Sequence, residues 1–224
     1  MGSKSGMKTA VLVVDQSTSY SIGLARAFKK EFEKQGGKLL KELKISSGDK
    51  DFKAIVSQIN SLNPDLVYMP FYHPEAALLV RQARQIGVKS QFASGDGVSN
   101  DTFIELASDA SNGYLYTDAF DSSNPPTAKS KAFVEAYAKE NGDSNVPGFT
   151  ALGADSYYLM IDAMNRCADG ADRECVNKEI KNSKNFEGVS GIINIDKKGN
   201  AERSIVIKEI AGGKAMYKDT VNPK

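Results

Sequence analysis

The sequence predicts an α/β fold in which helices cover both faces of a doubly wound parallel sheet. Short apolar runs alternate with segments of helical periodicity through residues 8–120. Parallel strands need crossover connections, and helices of this length provide them. Capping and turn-forming residues separate the segments, and 41% apolar with 25% charged residues is the composition of an ordinary globular chain. We therefore expect one α/β lobe over residues 8–120.

Each predicted strand of this lobe is followed by its own helix. Asp51 is expected to cap the second helix, Pro74 lies in the first turn of the third, and Gly87 ends that third helix. The strand order expected for such a lobe is 2-1-3-4-5. The predicted strand and helix pairs are 8–15 with 20–35, 38–45 with 51–62, 65–71 with 74–86, and 90–95 with 101–110, before a fifth strand at 113–120.

The second half of the chain has a different pattern. After the break at 122–126, the pattern predicts three helices (129–140, 149–167 and 173–183) and a hairpin of strands 188–195 and 203–210. Residues 121–203 are expected to supply these helices and one hairpin strand to an incomplete second lobe. Residues 204–224 are expected to be a return strand and a tail. The helix over 149–167 is more apolar than one hairpin requires. We therefore hypothesise that it covers a sheet whose strands precede Met7, and that residues 1–7 are a tag or artificial start.

Two cysteines, Cys167 and Cys175, lie eight positions apart around an Asp-Gly-Ala-Asp segment. Two interpretations remain open, a pair of unrelated thiols or one disulfide that closes a short loop between helices. The disulfide would imply an oxidising compartment. A zinc site is disfavoured because no histidine lies near them to complete a tetrahedral set.

Several function classes find no support in the sequence. The formal net charge is +1, so the chain lacks the basic surface that nucleic-acid binding requires. No glycine-rich dinucleotide or phosphate loop follows the first strand, and the nucleophile elbow of hydrolases is absent. A single histidine, His73, offers little to a catalytic triad or a metal site. We expect no catalytic residues, no metal and no cofactor.

Candidate ligand-binding residues follow the first, third and fourth predicted strands. Ligands of open parallel sheets bind at the carboxyl ends of the strands, and these three strands are neighbours in the order 2-1-3-4-5. Tyr20, Tyr72 and Asp96 would then meet on one rim, with Phe71 and Ser17 beside them. Aromatic rings around one carboxylate suit a small molecule with a cation next to an apolar group, such as an α-amino acid. The competing interpretation is that the tyrosines pack in the core and the aspartate forms a turn.

Several strings in the chain are together similar to those of a known family. They are Asp49-Lys50-Asp51-Phe52, Pro64-Asp65-Leu66-Val67-Tyr68, Tyr72-His73-Pro74-Glu75-Ala76, Arg81-Gln82-Ala83-Arg84, Gly95-Asp96-Gly97-Val98, Phe186-Glu187-Gly188-Val189-Ser190-Gly191 and Asp196-Lys197-Lys198-Gly199-Asn200. With them the chain resembles the leucine/isoleucine/valine-binding family of bacterial periplasmic binding proteins from Lys8 onward.

The resemblance implies a two-lobed periplasmic receptor that closes on an amino acid and delivers it to the permease of an ABC transporter. It places Tyr20, Tyr72 and Asp96 where the family's second lobe supplies aromatics and an acid to the ligand's ammonium group. Asp96 is shorter than the glutamate expected there, which leaves the identity of the amino acid open.

Against the family pattern, we expect the chain to lack the segment that forms most of the first lobe, together with its donors for the ligand carboxylate. We therefore expect a truncated receptor that binds free amino acids weakly or not at all. The alternative is a non-transport sensor or self-associating module, with a homodimer formed through the incomplete lobe.

Overall fold

The computed structural model describes residues 6–223 of the 224-residue chain, which divide into two compact units. The first unit runs to Thr117 and includes Lys208–Met216. The second comprises Asp118–Ile207 and continues from Tyr217. Of the expected artificial start, residues 1–5 lie outside the described part, whereas Met7 packs against a core cluster of the first unit.

The helices and strands alternate through the first unit as the sequence predicts. In chain order they are β1 (Thr9–Asp15), α1 (Ser19–Lys34), β2 (Lys38–Ile45), α2 (Lys53–Leu62), β3 (Leu66–Tyr68), α3 (His73–Gln85), β4 (Gln91–Ser94), α4 (Asp101–Ala107), β5 (Leu115–Asp118), α5 (Ala128–Asn141), α6 (Gly148–Asn165), α7 (Arg173–Lys181), β6 (Phe186–Glu187), β7 (Ile192–Ile195), β8 (Ala201–Glu202), β9 (Ile205–Ala211) and β10 (Lys214–Val221). Short 3₁₀ helices lie at Asp96–Val98 and Ser108–Ser111.

The main sheet has the order β10-β9-β5-β4-β3-β1-β2. The pairs β1–β2, β1–β3, β3–β4 and β4–β5 are parallel, which confirms the predicted fold class and the order 2-1-3-4-5 for the first five strands. The prediction of a tail after the return strand was wrong for Lys214–Val221, which forms an edge strand of this sheet.

Residues on β1 alternate between the two faces of the sheet, as a strand buried on both sides requires. Leu12 belongs to a cluster with Phe28, against α1, whereas Val13 belongs to a larger cluster with Leu79 and Phe103, against α3 and α4. Helices therefore cover both faces. At the start of β1, Asp65 accepts hydrogen bonds from the backbone N–H groups of Lys8 and Thr9 (2.9 and 2.8 Å), and these bonds hold the pKa of Asp65 below its ordinary value.

The second unit has a small antiparallel sheet with the order β6-β7-β8. The predicted hairpin was wrong in its second strand, since β7 pairs with Ala201–Glu202 while Ile205–Ala211 joins the main sheet. A buried carboxylate, Asp155 of α6, holds the loop after β6: it accepts hydrogen bonds from the backbone N–H groups of Val189 and Ser190 and from the Ser190 hydroxyl. A Cβ at Gly188 would lie 2.4 Å from Asp155 Oδ1, so this close approach requires glycine.

The two cysteines are joined, with 6.0 Å between the Cα atoms of Cys167 and Cys175. This decides between the two interpretations of the sequence in favour of the disulfide. The bridge links the C-terminal end of α6 to α7, and beside it Arg166 donates to Glu179 Oε2 at 2.8 Å. Among residues 6–223, no helix is both long enough and apolar enough to cross a membrane.

Candidate functional site

Three neighbouring strands of the first unit end at the same edge of the sheet, and a predicted site residue follows each of them. Tyr20 lies in the first turn of α1 after β1, Tyr72 is the residue before α3, and Asp96 begins the short helix after β4. Because β4, β3 and β1 are adjacent, the loops that follow them come together.

The structure brings Tyr20, Tyr72 and Asp96 into one cluster, which we call the phenol–acid rim. The two phenol rings are stacked, with centroids 5.1 Å apart and an interplanar angle of 22°. The Tyr20 hydroxyl donates a hydrogen bond to Asp96 Oδ1 at 2.9 Å and accepts one from the Gly97 backbone N–H at 2.9 Å. The Tyr20 hydroxyl therefore holds both the Asp96 carboxylate and the turn that carries it.

Glycines on both sides of Asp96 make room for the Tyr20 hydroxyl. A Cβ at Gly95 would lie 2.7 Å from the Tyr20 hydroxyl oxygen and 2.7 Å from Leu24 Cδ1. A Cβ at Gly97 would lie 2.9 Å from a backbone oxygen and 3.1 Å from the same hydroxyl. The Gly-Asp-Gly sequence is thus required by the inserted phenol and not only by the turn.

The phenol–acid rim combines exposed and shielded groups. Tyr72 keeps 44% of its surface exposed, whereas Tyr20 and Asp96 are partly buried. Burial and the Asp96 carboxylate raise the pKa of Tyr20, so its hydroxyl stays protonated and remains a donor. The same two causes raise the pKa of Tyr68 to about 12. The negative charge of Asp96 thus raises the pKa of both Tyr20 and Tyr68, whose hydroxyls stay protonated at neutral pH.

Two further predicted residues have different surroundings. Phe71 is fully buried in the main core cluster, so its ring packs away from solvent, and its expected part in ligand binding stays a prediction. β3 ends at Tyr68, so Phe71 lies beyond the regular strand. The Phe71 ring packs in the core. Ser17 is exposed, and its hydroxyl contacts the Asp15 carboxylate and the Ser47 hydroxyl at the ends of β1 and β2.

Sequence reasoning did not single out Tyr68 or the link between His73 and Asn100. The His73 Nδ1 and Asn100 Nδ2 atoms lie 3.0 Å apart and join the loops that follow β3 and β4. Tyr68 stacks on Phe28 with 4.2 Å between ring centroids. Tyr68 is the last residue of a buried strand, and its hydroxyl is a polar group at that position. This was the only sequence feature that could have indicated a role for Tyr68 at the site.

Asp15 organises the loops at the ends of β1 and β2. Its Oδ1 accepts from the Ser17 backbone N–H at 2.9 Å, and its Oδ2 accepts from the Ser47 hydroxyl at 2.6 Å. Burial opposes ionisation of Asp15, but hydrogen bonds from Ser17 and Ser47 outweigh it and hold the pKa of the carboxyl below its ordinary value of 3.8.

This lowered pKa predicts a pH-dependent contribution to stability. A carboxyl whose pKa is lower in the folded state stabilises the fold fully above its unfolded pKa, and that stability is lost as the pH falls through the folded pKa. Asp15→Asn should therefore lower the free energy of unfolding at neutral pH, and its difference from the parent chain should shrink below pH 3.8. Urea titrations at a series of pH values measure this. A difference that stays constant down to about pH 2.5 would contradict the assignment.

Comparison with known proteins identifies the family. Residues 1–214 match the sequence profile of the family described as periplasmic binding protein. The chain belongs to this family. It is 33% identical over 190 residues to the leucine-, isoleucine-, valine-, threonine- and alanine-binding protein of Pseudomonas aeruginosa, covering 85% of this chain and 50% of that protein. The Leu/Ile/Val-binding protein BraC3 of Rhizobium johnstonii is 30% identical over 190 residues, with coverage of 85% and 51%.

Solved structures give the same result. The leucine-binding protein LivK of Thermotoga maritima superposes with a TM-score of 0.94 at 36% identity, over 99% of this chain and 63% of that one. The branched-chain amino acid transporter substrate-binding protein LivJ of Streptococcus pneumoniae, solved in complex with isoleucine, superposes with a TM-score of 0.85 at 26% identity, over 99% of this chain and 62% of that one. The chain therefore spans about half the length of the curated relatives it matches.

Proposed function

We propose that this chain is part of the substrate-binding component of an ABC transporter for branched-chain or other small apolar amino acids. In this proposal the phenol–acid rim receives the ammonium end of the ligand. The observation that carries it is the anchoring of the Asp96 carboxylate to the Tyr20 hydroxyl at 2.9 Å, beside the stacked ring of Tyr72. The names of the relatives support the ligand class: one binds leucine, isoleucine, valine, threonine and alanine, another leucine, isoleucine and valine, and a third was solved with isoleucine.

The chemistry of the rim fits a zwitterion with an aliphatic side chain. A carboxylate that is partly removed from water attracts an ammonium group more strongly than an exposed one. The faces of Tyr20 and Tyr72 add a cation–π attraction and an apolar surface for the methyl groups of the ligand. No titrating pair poised for proton transfer is needed for this role, which is binding and not catalysis.

A complete amino-acid site also needs donors for the α-carboxylate. We propose that these come from the part of the relatives that this chain does not match, and that the intact receptor binds by closure of two lobes. Affinity for free amino acids should then be weak when this chain is tested alone. A dissociation constant in the micromolar range for this chain alone would contradict the proposal that the carboxylate donors lie elsewhere.

The compartment and the partner follow from the same proposal. The disulfide between Cys167 and Cys175 supports an oxidising compartment such as the periplasm. The permease of the transporter would receive the ligand from the closed receptor. The alternative of a non-transport sensor or a self-associating module has no observation that favours it.

The ligand class is tested by NMR titration of this chain with leucine, isoleucine, valine, serine and aspartate at millimolar concentration. We expect the three aliphatic amino acids to shift the backbone amide signals of Gly95 and Gly97, with serine weaker and aspartate weakest because its second carboxylate repels Asp96. Equal shifts with all five, or the largest shift with aspartate, would contradict the proposal.

A further inference from the structure

The Tyr20 hydroxyl lies against the Gly95–Gly97 turn, where it both donates and accepts a hydrogen bond. It donates to Asp96 Oδ1 and accepts from the Gly97 backbone N–H, each at 2.9 Å. The flanking glycines admit it, because a Cβ at either position would lie within 3.1 Å of the hydroxyl oxygen. The contact therefore fixes both the turn and the carboxylate that the turn carries.

An aspartate on a turn loses side-chain freedom when it pairs with a ligand, and that loss weakens binding. A carboxylate held at one oxygen before the ligand arrives avoids most of this cost. We propose that Tyr20 is a positioning residue, which fixes Asp96 through Oδ1 and leaves Oδ2 as the acceptor for the ligand's ammonium group. The assignment to a ligand rests on the proposed function, whereas the fixing of Asp96 can be measured without any ligand.

The protonation of Tyr20 supports this role. Burial and the Asp96 carboxylate raise the pKa of Tyr20, so the donor stays in place throughout the neutral range. Stacking on Tyr72 holds the ring in its orientation, with 5.1 Å between centroids. Tyr20→Phe keeps the ring and the stacking and removes only the hydroxyl, which separates positioning from apolar contact.

The first test uses the ligand-free chain. NMR three-bond couplings report the χ1 populations of Asp96, and hydrogen exchange reports the Gly97 amide, in the parent chain, in Tyr20→Phe and in Tyr157→Phe. Tyr157, whose surface is 64% exposed on α6, provides the matched control. We expect one Asp96 rotamer in the parent and the control, and averaged rotamers with faster Gly97 exchange in Tyr20→Phe. A single, unchanged rotamer in Tyr20→Phe would overturn the proposal.

The second test asks whether Tyr20 acts through Asp96 on binding. NMR titration with leucine should give an affinity about 3- to 10-fold weaker for Tyr20→Phe, the effect of ordering one additional side chain on binding. In an Asp96→Ala background the same substitution should change affinity by less than about 2-fold, because the residue through which it acts is gone. An equal loss in both backgrounds would overturn the positioning role.

The two failures can be told apart. If leucine at millimolar concentration leaves the Gly95 and Gly97 amide signals of the parent chain unshifted, the proposed ammonium site fails, and the Asp96 rotamer populations still decide whether Tyr20 fixes the carboxylate. If leucine binds while Tyr20→Phe changes neither the rotamers nor the affinity, the positioning role fails and the proposed function stands.

Discussion

Asparagine in place of Asp96 is expected to weaken leucine binding about 10- to 100-fold, because a charged hydrogen bond contributes about 1.5–3 kcal/mol. The substitution keeps the size of the side chain, and its amide oxygen can still accept from the Tyr20 hydroxyl. The turn should therefore persist while the negative charge is lost. The NMR titration with leucine measures the affinity of both chains.

A matched control for this loss is Asp101→Asn, which removes the same charge from an exposed position in the first turn of α4. It should bind leucine within about 2-fold of the parent chain, because the charge of an exposed side chain is screened by water and salt. Equal affinities of Asp96→Asn and Asp101→Asn would show that Asp96 does not carry the ammonium group.

Alanine in place of Asp155 is expected to have the largest effect on stability. It leaves the buried backbone N–H groups of Val189 and Ser190 without their acceptor, and each such group costs about 1–3 kcal/mol. We expect the free energy of unfolding of the second unit to fall by about 2–6 kcal/mol. Urea unfolding followed by circular dichroism measures the change.

The control for Asp155 lies on the same helix. Asp162 pairs with Arg166 one turn away, and its side chain is 43% exposed. Asp162→Ala should cost less than about 1 kcal/mol, as expected for an exposed ion pair. Similar losses for both variants would mean that the loop after β6 does not depend on the buried carboxylate.

The sequence predicted the first unit well because its strands are buried on both faces. Apolar runs such as Ala10–Val14, followed by capped helices, leave few alternatives to a parallel sheet. The rule that ligands bind at the carboxyl ends of strands then predicts that Tyr20, Tyr72 and Asp96 lie together, as they do. Their role in binding is still a prediction.

What the sequence could not predict has local physical causes. Side-chain direction could not be predicted for Phe71, because the alternation of a strand no longer applies once β3 ends at Tyr68. The apolar run that begins at Ile205 fits a hairpin or a sheet equally well, since periodicity does not identify the pairing partner. No residue of β10 is buried, and its large apolar residues Met216, Tyr217 and Val221 do not alternate with polar ones, so the pattern of a half-buried strand is missing.

In the proposed function, the phenol–acid rim binds the ammonium group of an aliphatic amino acid. Leucine and 4-methylpentanoic acid differ only in the α-amino group, so parallel NMR titrations with the two compounds isolate its contribution. We expect leucine to shift the Gly95 and Gly97 amide signals and the Tyr72 ring signals at millimolar concentration, with little change on adding the acid. Equal shifts with both compounds, or none with leucine, would contradict the claim.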